Sequence, residues 1–318
     1  LRGTPTTGKT TGFRAGVTAI DADYVRPGLA ASHLVVDSGR AAFVDTGTTL
    51  SLPNLLGALA EQDIDPADVD WVLATHVHLD HAGGAGALMR TLPNARCAVH
   101  PRGARHLVEP SKLIAGAMAV YGEERYRNLY GDIVPIDEDR LFVPADGATV
   151  TLGTRVLELI HTPGHALHHY CIVDRDHELI FSGDTFGISY RDFDVDGREF
   201  IMPTTTPVHF DPDALCRSVD RLMSYDPRSI FMTHYAEVRD LPRLARQMKE
   251  RVQAFADLGR RHASDPDRAD RLRQGMFTQL DGWLDEHGYP GDDARRHYLL
   301  DDDVELNCQG IEVWLDRK

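Results

Sequence analysis

A mixed α/β chain that ends in an all-helical segment is the fold class this sequence predicts, and three observations predict it. Short apolar runs bounded by turn residues recur between about residues 30 and 234, as buried strands do. Stretches with helical spacing lie between those runs. After His234 the apolar residues step by three and four with no further strand signal. The expected organisation is one α/β unit over residues 1–236 and a helical segment over 237–318 that packs on it.

The elements follow in order. "HLVVDSGRAAFVDTG" (33–47) reads as a hairpin, with Leu34–Val36 and Ala41–Val44 as strands and Ser38-Gly39 as the turn. "LPNLLGALAEQ" (52–62) carries Leu55, Leu56 and Leu59 at helical spacing, and "WVLATH" (71–76) reads as a buried strand feeding a loop. A helix is expected in "GAGALMRTL" (84–92) and a strand in "CAVH" (97–100). Residues 101–140 have no single period, and either an inserted lid or ordinary packing fits them. Strands resume at 148–153, 155–162, 169–174 and 178–184. A helix with an Asp-Pro start then covers 210–225, and "SIFMTH" (229–234) is a strand ending in histidine. Three amphipathic helices close the chain. The first carries Leu241 to Leu258. The second is opened by Asp265-Pro266, and the third by Asp301–Asp303.

The totals exclude several classes. With 34 Lys+Arg against 49 Asp+Glu the formal net charge is −15, which disfavours nucleic-acid and anionic-membrane partners, since both need a basic footprint. No run approaches the roughly 18–20 apolar residues of a membrane span. The N-terminal "LRGTPTTGKTTGFRAG" has no apolar signal region, so a cytoplasmic location is expected. Cys97, Cys171, Cys216 and Cys308 form no CxxC pair. They are read as free thiols rather than a zinc ribbon or disulfide framework.

The ligand-like side chains gather at strand ends. In "ATHVHLDHAGG" (74–84), His76, His78 and Asp80 alternate, and His81 follows as the chain turns. In an extended segment the first three point the same way. Imidazole and carboxylate are the ligands that zinc, iron and manganese accept. Downstream, "HTPGH" (161–165), "FSGD" (181–184) and "FMTH" (231–234) place His165, Asp184 and His234 after apolar runs as well. Ligands in layered α/β proteins come from loops at one sheet edge, so these spots can converge.

This ordered series, with "FVDTG" (43–47) before it, resembles the motif series of the metallo-β-lactamase-fold hydrolases over about residues 30–235. The resemblance implies a four-layer αββα sandwich with a site along one sheet edge. It implies two divalent metal ions, zinc first with iron or manganese as alternatives. His76, His78 and His165 would hold one, and Asp80, His81 and His234 the other. Asp184 would bridge them, and Asp45 would orient a ligating histidine. Two such ions activate a water without any serine or cysteine nucleophile, in keeping with the absence of G-x-S-x-G. Asp80 has a further possible role as a base steering that water. His168 and His169 stand where relatives often have Gly-His or Gly-Ser, so the local loop departs from the pattern. His161 is read as ending a strand.

The reaction expected is hydrolysis of a carbonyl ester-type bond in a small molecule: a lactone, a thioester or a relative of these. His78 disfavours the flavodiiron branch, which carries glutamate at that position. Helices after the last ligand histidine resemble glyoxalase II and thioesterase-like members, where they wall the substrate pocket. The lactonases place a tyrosine after the bridging aspartate, where this chain has Phe186 and, later, Tyr190. Phe186, Tyr190, Phe200, Met202 and His169 are the candidate pocket residues. Phosphoester or organophosphate hydrolysis, a mononuclear iron persulfide dioxygenase and a non-catalytic metal-bearing module are the rivals. The sequence leaves the oligomeric state open.

Overall fold

The computed structural model describes residues 4–7, 9–206 and 208–317. Residues 1–3 and 8 of the N-terminal stretch, and Pro207 of the loop after Phe200, lie outside the described residues. Two sheets face each other. The first has eight strands in sequence order: β1 (Thr4–Thr7), β2 (Thr10–Gly12), β3 (Val17–Asp21), β4 (Ala31–Asp37), β5 (Arg40–Val44), β6 (Val69–Leu73), β7 (Arg96–Ala98) and β8 (Leu141–Phe142). The second has six: β9 (Ala148–Leu152), β10 (Arg155–His161), β11 (Tyr170–Asp174), β12 (Leu179–Gly183), β13 (Ser229–Met232) and β14 (Ala236–Val238), ordered β14-β13-β12-β11-β10-β9.

The hairpin read from Ser38-Gly39 is the β4–β5 pair, in register from His33 opposite Val44 to Asp37 opposite Arg40. Helix α1 (Leu52–Glu61) carries the chain from β5 to its parallel neighbour β6. Two short helices, α2 (Leu79–Ala82) and α3 (Ala85–Met89), lead from β6 to β7, also parallel. Residues 101–140 form α4 (Ala104–Val108), α5 (Ser111–Tyr121) and α6 (Glu123–Tyr130), the last two broken at Gly122. Tyr24, Tyr126 and Tyr130 close this segment over Leu79 in a small core of their own. The tyrosines without a period are therefore tertiary packing against the turn that carries Asp80. In the second sheet, α7 (Pro212–Met223) connects parallel β12 and β13; the Asp211 side chain caps it by accepting from Ala214 N.

Three apolar layers hold the four-layer arrangement together. Val35, Ala42, Leu73 and Ala98 of the first sheet meet Leu157, Ile172, Phe181 and Phe231 of the second. Leu55, Leu59, Leu88 and Met89 cover the outer face of the first sheet. On the outer face of the second lie α7, α8 (Leu241–His262), α9 (Arg268–His287) and α10 (Asp293–Asp316), through Leu215, Met248, Phe255, Met276, Leu280, Val304 and Ile311. This αββα sandwich with a helical C-terminal region is the expected fold class. No helix among the described residues is long and apolar enough to cross a membrane.

Several local expectations are corrected. β14 extends the second sheet past residue 236 before α8 begins at Leu241. α9 is capped at Asp267, so Pro266 precedes the helix instead of sitting in its first turn. α10 starts at Asp293, where the Asp292 side chain accepts from Arg295 N. Asp301–Asp303 therefore lie mid-helix. Arg296, Leu299 and Leu300 already bury one face upstream of them, and that face, not the acidic triplet, decides where the helix starts.

Candidate metal centre

The predicted ligand spots lie at the ends of β5, β6, β10, β12 and β13, along one edge of the sandwich. Two groups form there. His76, His78, His165 and Asp184 bring one ligand atom each within 4.8 Å of one another, and Asp80, His81 and His234 do the same. The seven residues singled out in the sequence are thus brought together. The route differs from the expected strand alternation. His76 and His78 are extended, whereas Asp80 and His81 sit on the single turn α2 that His78 opens. That turn swings Asp80 away from His76 and His78 and into the second group.

Asp184 stands between the groups. Its Oδ2 faces His165 Nε2 at 3.4 Å and His76 Nε2 at 3.9 Å. Its Oδ1 faces His81 Nε2 at 3.4 Å and His234 Nε2 at 3.7 Å. Gly183 makes this placement possible. It has φ +48°, and a Cβ there would lie 2.6 Å from His169 Nε2 and 2.7 Å from Thr75 Oγ1. Gly164, at φ +136°, aims His165 in a similar way, because a Cβ there would meet the Leu215 backbone at 2.3 Å.

Hydrogen bonds on the far side of each ring fix its tautomer. His81 Nδ1 donates to Asp45 Oδ2 (2.9 Å), His234 Nδ1 to the Leu29 carbonyl (2.8 Å) and His165 Nδ1 to the Thr204 carbonyl (3.3 Å). In the neutral, ligating form their Nε2 atoms therefore face inward without a proton. Asp45 is fully buried, and it also accepts from Thr75 N (2.8 Å) and from the hydroxyls of Thr75 and Thr233. Sequence reasoning missed both threonines. The available signal was the Thr-His pair repeated at 75–76 and 233–234.

The donor set fits divalent metal. His76 Nε2 lies 2.8 Å and His165 Nε2 3.1 Å from His78 Nδ1. One proton on His78 Nδ1 satisfies only one of these contacts, whereas a cation among the three nitrogens satisfies all of them. His81 Nε2 and Asp184 Oδ1 are buried with no hydrogen-bond partner, which is costly unless another species satisfies them. Burial pushes the protonation of His76 and His165 down and that of His78 down to about 3; neutral imidazole is the ligating form. Burial opposes charge on His81 and His234 too, but Asp184 and Asp80 outweigh it and raise both.

The candidate pocket residues are placed otherwise than expected. Phe186, Phe200 and Met202 are buried in the core beneath the C-terminal helices. Burial there answers to the weight of the cap, which needs an apolar floor. Tyr190 is buried too, and its hydroxyl donates to Asp303 Oδ2 at 3.0 Å. Asp303 is a half-buried carboxyl on α10 that burial lifts to about 6. No local signal marks this pair, which joins residues 113 positions apart. His169 sits behind Asp184. Its Nε2 accepts from Asp184 N (3.2 Å) and its Nδ1 donates to Thr162 Oγ1 (2.9 Å). His161 packs against His100 with ring centroids 4.2 Å apart and belongs to neither group.

Residues 25–234 match the family model of the metallo-beta-lactamase superfamily. A metallo-beta-lactamase fold-containing protein of Sulfurisphaera tokodaii, ST1585, is 28% identical over 199 residues, covering 60% of this chain and 71% of that protein. The acyl-coenzyme A thioesterase MBLAC2 of Gallus gallus is 32% identical over 161 residues, covering 48% of this chain and 55% of the relative. The chain thus spans only about half of that thioesterase. Among solved structures, the metallo-beta-lactamase family protein TTHA1429 from Thermus thermophilus superposes with a TM-score of 0.66 at 21% identity, covering 95% of this chain and 93% of that one. With two facing sheets, a histidine- and aspartate-lined edge and a family match over most of its length, this chain belongs to the metallo-β-lactamase superfamily of hydrolases.

Proposed function

We propose that this protein holds two divalent ions, zinc first, and hydrolyses a carbonyl ester-type bond of a small molecule, a thioester before a lactone. The observation that carries the reading is the split of Asp184, with one carboxylate oxygen turned to each histidine group. His76, His78 and His165 would hold one ion and Asp80, His81 and His234 the other, with Asp184 shared. Bound there, the ions supply Lewis acidity and bring the pKa of a water towards neutrality. The chain does the rest. Asp45 holds His81 in the tautomer that presents Nε2, and Leu29 does the same for His234. Asp80 is 21% exposed and 3.4 Å from His234 Nε2. It is the carboxylate open to an incoming molecule, placed to accept the proton of an attacking water and return it to the leaving group. The thioester preference draws on the thioesterase relative. The unpaired thiols of Cys97, Cys171, Cys216 and Cys308 support a reducing, cytoplasmic setting.

Metal analysis of the purified protein with turnover of a thioester, a lactone and a phosphoester tests this. Two metals per chain and fastest hydrolysis of the thioester are expected. A single iron with oxygen uptake on a persulfide overturns the reading, as does a full site inert to every compound.

A further inference from the structure

Many cations of this acidic chain are held in ion pairs: Arg40 pairs with Asp68 and Asp70, Arg155 with Asp174, Arg268 with Glu312 and Asp316, and Arg296 with Asp281 and Asp285. Of those with no such partner, one group lies on the side of the metal centre. Arg102, Arg105, Lys112 and Arg317 are all exposed, and no ion pair forms to any of them among the described residues. Arg317 Nη2 donates to the Phe210 carbonyl (3.3 Å), which pins the end of α10 beside His209. Arg102 and Arg105 lie on the turn leading into and through α4, and Lys112 at the start of α5. After burial, the charges of Arg317, Arg102 and His106 are what hold His209 below the usual histidine range, and Arg105 and Lys112 do the same to His106. Gly103, between Arg102 and Arg105, packs on Val77 beside His78, where a Cβ would meet Val77 Cγ1 at 2.7 Å, so these cations share one rim of the site. Glu109, the acidic residue among them in sequence, accepts from Ser111 Oγ at 2.7 Å.

A line of imidazoles joins the rim to the metal centre. The His168 ring centroid lies 5.5 Å from His78 and 6.0 Å from His209. Leu167 and Val208, next to these histidines, are 38% and 54% exposed. From the site outward the surface thus runs from ligands through apolar side chains to unpaired positive charge. A thioester on a long carrier has the same order: acyl carbon, uncharged arm, anionic end.

Resting on the thioester reading, we propose that Arg102, Arg105, Lys112 and Arg317 form the docking rim for the phosphate-bearing end of the thioester's carrier. Guanidinium forks bind phosphate through paired, charge-assisted hydrogen bonds. An unpaired cluster beside the site also concentrates an anionic substrate despite the chain's net negative charge.

The test compares one acyl group on two carriers, coenzyme A and N-acetylcysteamine, the second having no phosphate. The metal-loaded full-length protein should show higher kcat/KM on the coenzyme A ester, with a steeper fall in added salt. The triple variant R102E/R105E/R317E should lose roughly 10–100-fold on that ester through KM, and stay within about twofold on the truncated one. Equal loss on both carriers, or no loss on the phosphate-bearing one, overturns the rim. The salt dependence of the unaltered protein decides independently of the variant's folding, since equal salt response on the two carriers also overturns it. A wild-type protein that hydrolyses a lactone and neither thioester brings down the thioester reading itself, and the rim with it. Turnover of both thioesters at equal efficiency brings down the rim alone.

Discussion

The sheet edge and the C-terminal helical cap are built on opposite principles. At the edge, polar side chains are buried and pinned one by one: Asp45 alone takes bonds from Thr75, Thr233 and His81. In the cap, apolar side chains are interchangeable in kind and act together, with Met248, Val252, Phe255, Met276 and Leu280 in one cluster over the second sheet. Polar satisfaction is specific and fails singly. Apolar packing is distributed and fails by volume. Damage at the edge should therefore remove chemistry while sparing the fold, and damage in the cap should do the reverse.

The sharpest break in that contrast is expected at Asp184. Asp184→Ala should remove metal from both groups and lower kcat by at least roughly a thousandfold, with little change in the melting temperature of the metal-free protein. Full metal occupancy in this variant, read by elemental analysis, would end its shared role. In the cap, Phe255 is fully buried and stacks on Trp283 at 5.4 Å. Phe255→Ala should cost about 3–5 kcal/mol in denaturant unfolding while the folded fraction keeps its metal. Metal loss in step with stability would show that the cap and the edge are one unit.

Between the sheets lies a polar group with an apolar neighbourhood. His33 packs against the rings of Phe181 and Phe231, its Nε2 has no partner, and burial lowers it from 6.5 to about 4. The unfolded chain thus takes up a proton below pH 6.5 that the folded chain refuses until about pH 4. The stability linked to His33 is complete above pH 6.5 and drains away as pH falls through that window, by up to about 3 kcal/mol. Urea titrations at several pH values should show this slope flattened in His33→Phe. An unchanged slope would mean that other groups carry it.

Smaller effects probe the support of the edge. Asp45→Asn keeps the shape but removes the charge beside His81, and should weaken metal affinity about 10–100-fold; a chelator competition giving wild-type affinity would contradict this. His161→Ala, outside both groups, should leave metal content nearly unchanged. If metal is lost there, the second histidine of "HTPGH" is not the one that matters.

How far the sequence reaches depends on the range of the interaction involved. His76, His78, Asp80 and His81 are legible because they share one short stretch, and His165, Asp184 and His234 because each ends an apolar run. The helices of the cap are legible because the period of an amphipathic face is local. By itself, then, the sequence determined the layered α/β class, the helical ending and the set of histidines and aspartates that converge at the sheet edge.

The family resemblance already divided these residues into two groups, and only the tertiary structure showed what divides them. The turn α2 sends Asp80 to His81 and His234 rather than to His76. It set Tyr190 against Asp303 instead of in an open pocket. It started α10 at Asp293 because an apolar face was waiting there, and brought Arg317 to the Phe210 carbonyl beside His209. None of these pairings repeats at any sequence period. Each is fixed by two sheets closing on a shared apolar core, and that closure is a property of the whole chain.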